Sequence, residues 1–454
     1  MDMINMWNDW LNGIVWGPYM IVLLVGTGIY MSFRLGFLQI CNFKYIMKHT
    51  LGKMFDKTLE GEGDISPGQA GLTAIAAVVG TGNIAGVATA ISIGGPGAVF
   101  WMWLSAFFGM ATKFSEITLG VHYREKREDG SYAGGAMFYL AKGLKQKWMA
   151  YFFSIMVIIT YFIIGAIVDT NTIALSVQEQ WGVNPFYTGI FLAIITGIVV
   201  LGGIKRIGEV CEFLTPFMGG IYIFAGLSIL ILNVGQVPDA IAAIFTSAFR
   251  PAAATGGFAG ATVARMMTIG TARGLFSNEA GMGSSPIIHS SAKTDHSARQ
   301  GMWGIAEVFV DSLVICTITA LAIIISGEWT TGVSGAALTI RAFTNVLPGN
   351  IGGYVVVFSA MLFGYSCLIS ANYYCESAGQ YLFGIKSILP IRILWIVFIL
   401  IGSVGGLEFV WALADTANGL MAIPNLIAIL ALSGVVVAQK KDFFSNYNDK
   451  KNIS

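Results

Sequence analysis

Charged residues are scarce in this sequence. Asp, Glu, Lys and Arg make up 11% of the 454 residues, whereas hydrophobic residues make up 55% and the mean hydropathy is +0.71. Soluble globular chains contain about 25% charged residues, and their single cores stop growing at roughly 250–300 residues. So few charges cannot cover a surface that faces water on all sides. The composition therefore excludes a cytosolic enzyme, a disordered chain and a nucleic-acid binder, and lipid must be the main solvent.

Cysteine is also scarce, and its spacing indicates neither a disulfide framework nor a zinc site. The five cysteines form no CxxC pair and fall mostly inside apolar stretches: Cys41, Cys211, Cys316, Cys367 and Cys375. We expect small buried hydrophobes rather than disulfide bridges or a zinc site. The HExxH and GxSxG motifs are absent, and Cys and His do not cluster, which disfavours a membrane enzyme and a cofactor.

Long apolar segments are abundant. A bilayer core of about 30 Å needs about 20 mainly apolar residues per helical span. The alternating segments of a β-barrel are missing. We expect an all-α integral membrane protein, one transport domain over residues 1–454 that ends in a cytoplasmic tail, 439–454. Eleven segments qualify as spans: 12–34, 69–93, 96–121, 150–180, 185–204, 210–233, 258–286, 301–326, 351–382, 390–406 and 411–438.

The basic residues predict the orientation of these spans. With the N-terminus outside, 21 of the 26 Lys and Arg residues fall in inner segments, and only Arg250 and Arg341 fall in outer ones. The positive-inside rule therefore predicts an external N-terminus and a cytoplasmic C-terminus in the cell membrane.

Glycine clusters interrupt two of the spans. One span contains Gly80-Thr81-Gly82-Asn83 and the other contains Gly270-Thr271-Ala272-Arg273-Gly274. These spans begin two groups of five, residues 69–233 and 258–438, which follow a leading helix at 12–34. Because five is odd, the second group enters the membrane from the opposite side, as an inverted repeat. The alternative is that these glycines only permit close helix packing.

A paired break has a direct chemical consequence. Unwound backbone at membrane depth survives only beside protein or a polar cavity. Its free N–H groups suit a carboxylate, and its free carbonyls suit a bare alkali cation. Paired breaks indicate the binding site of a secondary transporter at mid-membrane. A channel, the rival interpretation, would need a continuous pore with aligned polar rings.

Several motifs resemble the alanine/glycine:cation symporter family. They include TAIAAVVGTGNIAGVATAI (73–91), GGPGAVFWMWLSAFFGMATKFSE (94–116), GGAMFYL (134–140) and RGLFSNEAGMGSSPIIHSSAKTDHSARQG (273–301). The resemblance implies a LeuT-type inverted five-helix repeat with one extra N-terminal helix. It also implies sodium-coupled uptake of small neutral amino acids, alanine and glycine above all, by alternating access.

The resemblance assigns roles to individual residues. Backbone amides at the first break would hold the substrate carboxylate, the Asn83 amide would contact the substrate, and Phe276 would close the pocket. The residues of the break are Gly80, Thr81, Gly82 and Asn83. Sodium, the coupling ion, would lie between the Ser366 hydroxyl and the carbonyls near Val79 and Gly80. The alternative for Ser366 is a hydrogen bond to its own helix.

Two substrate-contacting positions depart from the family pattern. Asp169 replaces a glutamine, and Ala371 replaces a tryptophan in LISANYYCE (368–376). We expect a larger pocket in which Asp169 meets the substrate amine, so that glutamine, another mid-sized neutral amino acid or a cationic one could fit. A charged Asp at this depth is costly, so it could instead pair with sodium, carry the coupling proton, or bond to Asn171 or Thr172.

Other ionisable residues at membrane depth are expected to pair with one another. Glu116 lies three residues beyond Lys113, a spacing that suits an ion pair on one helix face. Arg273 is expected in a gate or scaffold ion pair. An inner gate or an interhelical network is expected to contain Glu279, Glu307, Asp311 and Asp415. The sequence leaves the oligomeric state open.

Overall fold

A computed structural model describes residues 2–58, 61–252, 258–405 and 408–447. Residues 448–454 of the predicted tail, and residue 406 of one predicted span, lie outside this description. The helices are α1 (Asp2–Val15), α2 (Pro18–Arg34), α3 (Leu38–Cys41), α4 (Phe43–His49), α5 (Pro67–Val78), α6 (Val87–Gly94), α7 (Gly97–His122), α8 (Ala136–Phe138), α9 (Lys147–Tyr161), α10 (Thr170–Trp181), α11 (Pro185–Val200), α12 (Gly203–Leu232), α13 (Val237–Ser247), α14 (Val263–Asn278), α15 (Ser285–His289), α16 (Ser297–Val308), α17 (Cys316–Ser326), α18 (Gly335–Val346), α19 (Ile351–Phe383), α20 (Ile388–Val404), α21 (Glu408–Ala431) and α22 (Ser433–Asp442).

Shorter elements complete the chain. Strands β1 (Glu125–Lys126) and β2 (Tyr132–Ala133) form an antiparallel hairpin. The π-helical stretches are Gly82–Gly86, Tyr139–Gly143, Phe162–Asp169, Phe309–Ile315 and Phe443–Tyr447, and the 3₁₀ turns are Leu51–Lys53, Glu328–Thr330 and Ile385–Ser387.

Seven helical segments in the described ranges are long and apolar enough to cross a membrane. They are Met6–Arg34, Lys147–Trp181, Gly203–Leu232, Ser297–Ser326, Ile351–Phe383, Ile385–Val404 and Leu413–Ala431. The bent pair α5 and α6 makes an eighth. The three other predicted spans, 96–121, 185–204 and 258–286, are helical as α7, α11 and α14 with α15. They do not meet the same test of length and hydropathy, so the count of eleven spans stays a prediction.

The helices pack in pairs that match the two predicted groups of five. α7 packs against α16, the second helix of each group, and α11 packs against α20, the fourth of each group. The predicted leading helix lies outside both groups, and its two parts, α1 and α2, contact α21 and α7. Helices in corresponding positions of the two groups are therefore neighbours, and the inverted repeat itself stays a prediction.

Both interrupted spans begin at a polar cap. The Ser66 hydroxyl accepts the Gln69 N–H at 3.1 Å, and the Gln69 side chain accepts the Ser66 N–H at 3.0 Å, with Pro67 in the first turn of α5. Thr262 caps α14 by accepting the Arg265 N–H at 3.2 Å. Such caps satisfy amides that have no partner within the helix. The start of each span is therefore fixed by local sequence.

The segments that flank the two interrupted spans pair with each other through their backbones. Residues 61–65, before α5, pair with residues 291–294, after α15. The Lys293 N–H donates to the Ile65 carbonyl at 2.7 Å, and the Asp64 N–H donates to the Ser291 carbonyl at 2.7 Å. Arg124, just after α7, donates to carbonyls of both segments, those of Glu62, Ser290 and Ala292.

Two helices between spans were not expected. α13 and α18 are helices of 11 and 12 residues, and α18 contacts the π-helical stretch Gly82–Gly86. The Thr339 hydroxyl of α18 donates to the Ile84 carbonyl at 2.9 Å. The expectation for cysteine is confirmed at four positions, which are buried free thiols, whereas Cys41 is an exposed one.

Candidate functional site between two broken helices

The first predicted break is confirmed. α5 ends at Val78, Val79 takes an extended conformation with ψ 91°, and the chain beyond it is bent by 47° relative to α5. The side chain of Asn83 stabilises the unwound turn, because its Oδ1 accepts the Gly80 N–H at 2.8 Å. The backbone N–H and C=O groups between the two half-helices therefore lie outside regular α-helix, inside the helix bundle.

The second predicted break was placed wrongly. α14 runs without interruption through residues 270–274 and ends at Asn278. A Cβ on Gly270 would lie 2.2 Å from the Ala98 carbonyl oxygen, and one on Gly274 would lie 2.9 Å from Ser105 Oγ, both on α7. These glycines therefore permit close helix packing, the alternative that the sequence left open.

The second break lies at residues 279–284, beyond the helix. Three residues there take the left-handed conformation: Glu279 at φ 54°, Gly281 at φ 97° and Gly283 at φ 80°. The chain then resumes as the single turn of α15. Both interrupted spans are thus broken, but the second break is longer and comes later in its span.

Lys113 of α7 holds the near end of the second break. Its Nζ donates to the Asn278 carbonyl at 2.8 Å and lies 3.5 Å from Glu307 Oε2, with both charged side chains fully buried. A cation at the last carbonyls of a helix complements the negative end of the helix dipole. The Glu307 carboxylate therefore neutralises the charge of Lys113 inside the bundle, and it also contacts His289.

Glu116 of α7 holds the far end of the same break. It accepts the Gly283 N–H at 3.1 Å and the Asn425 side-chain amide at 2.5 Å, and Asn425 also donates to the Gly281 carbonyl at 2.8 Å. The prediction that Lys113 and Glu116 form an ion pair is therefore wrong. The two side chains lie on one helix face, but each contacts a different end of the break.

A cavity of about 40 Å³ lies between the two breaks. Six of the predicted site residues line it: Gly80, Thr81, Gly82, Asp169, Phe276 and Ala371. The other lining residues that bear polar groups are Tyr161, Ser277, Glu279, Cys367 and Asn418. Three predicted site residues do not line the cavity, namely Val79, Asn83 and Ser366.

A wider vestibule of about 400 Å³ adjoins this cavity. Thr81, Gly82 and Phe276 line both spaces, so the Phe276 ring lies where they meet. The Arg273 guanidinium lies 5.7 Å from the centre of that ring, and its Nη2 lies 3.7 Å from Asp415 Oδ2. The expected ion pair of Arg273 is therefore present at the entrance to the cavity.

Asp169 faces the cavity as expected. Its side chain is 3% exposed, and its Oδ1 accepts the Thr81 hydroxyl at 3.0 Å. The two neighbours proposed as alternative partners point elsewhere. Asn171 donates to the Gly402 and Gly405 carbonyls, and Thr172 donates to the Val168 carbonyl.

Asn83 lies behind the cavity wall. It is fully buried, and its Nδ2 donates to Asp311 Oδ1 at 2.6 Å while its Oδ1 accepts the Gly80 N–H. Both ends of the amide bind protein groups, and its expected contact with the substrate stays a prediction. Asp311 also accepts the Ser277 hydroxyl at 3.0 Å, so Asn83 joins the first break to the end of α14.

Ser366 makes the hydrogen bond to its own helix that was the alternative for it, and its role in a sodium site stays a prediction. Its hydroxyl lies 2.8 Å from the Phe363 carbonyl of its own helix and 2.9 Å from the Ala76 carbonyl of α5. The neighbouring Cys367 Sγ lies 3.2 Å from the Ala77 carbonyl and 3.8 Å from that of Val79. Carbonyls at the end of α5 therefore converge on α19, but the one in contact with Ser366 is that of Ala76.

A tryptophan from another helix packs near Ala371, and the expectation of a larger pocket stays a prediction. Trp395 of α20 is fully buried and packs against Gly165. A Cβ on Gly165 would lie 2.8 Å from Trp395 Cη2 and 3.0 Å from the Ala371 Cβ. A tryptophan from a different helix therefore packs next to Ala371, which the local motif could not indicate.

Glu279 and Tyr161 are cavity residues that the sequence did not single out as such. Glu279 was expected in a gate or a network, and Tyr161 was not considered. One signal was available, because Glu279 follows the helix pattern of α14 at a position where glycine or asparagine usually ends a helix. Tyr161 has no comparable signal, since an aromatic residue within an apolar span is ordinary.

Two broken helices that enclose a small polar cavity in a bundle of apolar helices define a membrane transporter. The solved structure of MhsT in complex with L-phenylalanine is similar in fold, with a TM-score of 0.62 and 14% identity, covering 84% of this chain and 93% of that chain. This likeness supports the expected LeuT-type architecture.

The chain belongs to the sodium:alanine symporter family, whose sequence model matches residues 1–454. It is 46% identical to the sodium/alanine symporter AgcS of Methanococcus maripaludis over 451 residues, 98% of each chain. It is also 38% identical to the probable sodium/glutamine symporter GlnT of Bacillus subtilis over 434 residues, 95% of this chain and 89% of that one. Members of this family are transporters, and the family name gives sodium as the coupling ion.

Proposed function

We propose that the protein imports a small neutral amino acid of the alanine and glycine class together with sodium, by alternating access. The observation that carries this proposal is the cavity between the two breaks, which unites backbone of the first break with Asp169 and Phe276. Family membership supports sodium as the coupling ion and an amino acid as the substrate.

The cavity suits the two charged ends of an amino acid. The substrate carboxylate lies against the N–H groups of Thr81 and Gly82, at the start of the outer half of the broken span, where helix dipoles favour an anion. The substrate ammonium lies against the Asp169 carboxylate, which already accepts the Thr81 hydroxyl. Phe276 closes the cavity from the vestibule side.

Sodium binds at the end of α5. The carbonyls of Ala76 and Val79 and the Ser366 hydroxyl provide the oxygen ligands that a hard cation prefers. The last carbonyls of a half-helix also carry partial negative charge, which favours a cation. The contacts of Ser366 and Cys367 with these carbonyls support this site and extend the predicted set of Val79, Gly80 and Ser366.

A larger substrate or a coupling proton is the second candidate. Glutamine is the substrate that the name of one relative gives. In the described residues, the hydrogen bond that Asp169 accepts comes from the neutral Thr81 hydroxyl, and a carboxylate buried without a cation is costly. Asp169 would then take up the proton that accompanies the substrate.

The protein crosses the cell membrane eleven times in this proposal, with its N-terminus outside and its C-terminus in the cytoplasm. Residues 69–233 and 258–438 are the inverted repeats, and 12–34 is the extra leading helix. The distribution of basic residues and the pairing of α7 with α16 and of α11 with α20 support this arrangement.

Uptake by purified protein in liposomes tests the proposal. We expect labelled alanine to accumulate when sodium is high outside, and not when choline replaces sodium at the same pH. Asp169→Gln should lower the affinity for alanine at least about tenfold, because a charge-assisted hydrogen bond is lost. Ser366→Ala should raise the sodium concentration needed for half-maximal uptake.

Two outcomes decide between the candidates. Uptake that ignores sodium and follows an imposed pH gradient would replace sodium with a proton. Uptake of glutamine that exceeds uptake of alanine would reject the small-substrate proposal while leaving sodium coupling intact.

A further inference from the structure

Two pairs of polar side chains line the small cavity. Asp169 accepts the Thr81 hydroxyl, and Tyr161 lies beside Glu279. Tyr161 and Asp169 lie on one continuous helical segment, Lys147–Trp181, eight residues apart. This spacing corresponds to roughly 12 Å along the axis of a regular α-helix. An amino acid whose charged α-groups lie beside Asp169 therefore directs its side chain towards the end formed by Tyr161 and Glu279, which we call the inner end.

Glu279 occupies a position that a glycine would fill with less strain. It follows the last turn of α14 with φ 54°, and a left-handed conformation is strained for a non-glycine residue. The same break has glycines at its two other left-handed positions, 281 and 283. The strain at Glu279 is what is expected where the side chain itself is needed.

The carboxylate of Glu279 is available to a ligand. One oxygen accepts the Ser284 hydroxyl at 2.5 Å, and the residue lines the cavity. No Lys or Arg is among the described residues that line this cavity. Lys113, the nearby buried cation, is already bound to the Asn278 carbonyl and Glu307. Asp169 and Glu279 thus give the cavity two carboxylates, whereas a zwitterion brings no net positive charge.

Tyr161 is the second polar side chain at the inner end. It is 3% exposed and lines the cavity, and its hydroxyl lies beside Glu279 and Ser284 without a well-aligned hydrogen bond to any described residue. Its ring is held against that of Tyr374, with 4.7 Å between centroids. A buried hydroxyl without a well-aligned partner is unfavourable, and a ligand in the cavity would provide one.

We propose that the inner end is a subsite for a substrate side chain that ends in a hydrogen-bond donor, with an ammonium group bound best. The Glu279 carboxylate accepts from this group, and the Tyr161 hydroxyl hydrogen-bonds to it. The site would then accept short diamino acids in addition to the small neutral amino acids of the proposed function, because their second positive charge balances the second carboxylate. This inference rests on the proposed function, because the α-groups of the substrate must lie beside Asp169.

Three amino acids with the same number of heavy atoms test the subsite. Norvaline, homoserine and 2,4-diaminobutyrate differ only in the terminal group, which is CH₃, OH or NH₃⁺. Each competes with labelled alanine for the purified protein. We expect 2,4-diaminobutyrate to compete best and norvaline worst, with at least about a tenfold difference between them. Norvaline that competes as well as 2,4-diaminobutyrate would overturn the proposal.

Two variants connect this preference to the residues named. We expect Glu279→Gln to reduce the ratio of the two affinities at least fivefold, to about 2 or less, and Tyr161→Phe to reduce it about threefold. A ratio measured within one variant does not depend on how much protein is folded. Tyr365→Phe is the matched control, because its hydroxyl lies near the Ile195 carbonyl and it does not line the cavity.

The outcomes separate this inference from the proposed function. A ratio that neither Glu279→Gln nor Tyr161→Phe changes would reject the subsite, even if sodium-driven alanine uptake is normal. Absent sodium dependence in the uptake assay would instead reject the coupling ion, and the competition ratios would still test the subsite.

Discussion

The two breaks differ in how the fold supports them. The first is short, lies between two helical halves, and is stabilised by Asn83, a side chain from the same span. The second covers six residues, 279–284, and is held by Lys113 and Glu116 of a neighbouring helix, with help from Asn425. Two breaks with the same consequence for the backbone therefore depend on different chemistry, one on a local amide and the other on buried charges.

This difference shows why the breaks are not equally visible in sequence. A break stabilised by its own residues leaves a compact local motif, whereas one stabilised from another helix leaves its stabilising groups elsewhere in the chain. It also predicts that the second break is more sensitive to substitution at a distance.

The largest expected effect comes from removing the charge of Lys113. Lys113→Met keeps the side-chain length but leaves Glu307 without its buried lysine partner and the Asn278 carbonyl without a donor. Breaking a buried ion pair costs about 3–5 kcal/mol, so the midpoint of thermal unfolding in detergent should fall by many degrees. Arg206→Met is the control, because its ion pair with Glu209 is exposed and contributes about 0.2–1 kcal/mol. Equal shifts in the two variants would contradict the role of Lys113.

The next largest effect is expected at Gly283. Gly283→Ala places a Cβ 2.9 Å from Asn425 Cγ in a residue with φ 80°. Left-handed strain and overpacking together should cost about 2–4 kcal/mol. Gly327→Ala is matched in conformation, with φ 72°, but its Cβ would have no atom within 4 Å. Thermal unfolding of both variants separates strain from packing, and a smaller loss at Gly283 than at Gly327 would be the contrary result.

A moderate effect is expected at the first break. Asn83→Ala leaves the Gly80 N–H without an acceptor and removes a donor to Asp311, which should cost about 2 kcal/mol. The same substitution at Asn233, whose amide donates to the Ile229 carbonyl of its own helix and only at 3.5 Å to that of Val346, should cost less than about 1 kcal/mol. If Asn83→Ala destabilised the protein as much as Lys113→Met does, the proposed contrast between the breaks would fail.

The smallest effect is expected at Gly82. A Cβ there would lie 3.5 Å from Phe276 Cδ1, an ordinary contact, and alanine favours helix by about 1 kcal/mol. We expect Gly82→Ala to leave the unfolding temperature unchanged or slightly raised. Gly80→Ala is the sensitive neighbour, because its Cβ would lie 2.5 Å from Cys367 Sγ. Adding Cys367→Ala should recover part of the loss in Gly80→Ala.

Much of this arrangement could be predicted from sequence, for physical reasons. Apolar length and the Gly80–Asn83 motif indicated the spans and the first break, because both depend on neighbouring residues. The resemblance identified Thr81, Asp169 and Phe276, which do line the cavity. The location of the second break was missed, because Gly270 and Gly274 look like breaks until the contact with α7 is known.

Two further features depended on distant residues. The Asn83 amide, predicted to contact substrate, donates to Asp311, 228 positions away. Trp395, which belongs to a different helix from Ala371, packs against Gly165 of the cavity wall. Both contacts join residues far apart in the chain, so neither leaves a periodic pattern or a fixed spacing in a single sequence.

The backbone pairing of residues 61–65 with residues 291–294 has a consequence for measuring transport. In the proposed orientation these segments lie on the cytoplasmic side, and an inward path that opens between the two broken spans must separate them. The amide protons of Asp64 and Lys293 are bonded across this pairing. Their deuterium exchange should be slow while the carrier opens outward and faster each time it opens inward. The exchange rates of these two amide protons would thus report how often the carrier opens inward.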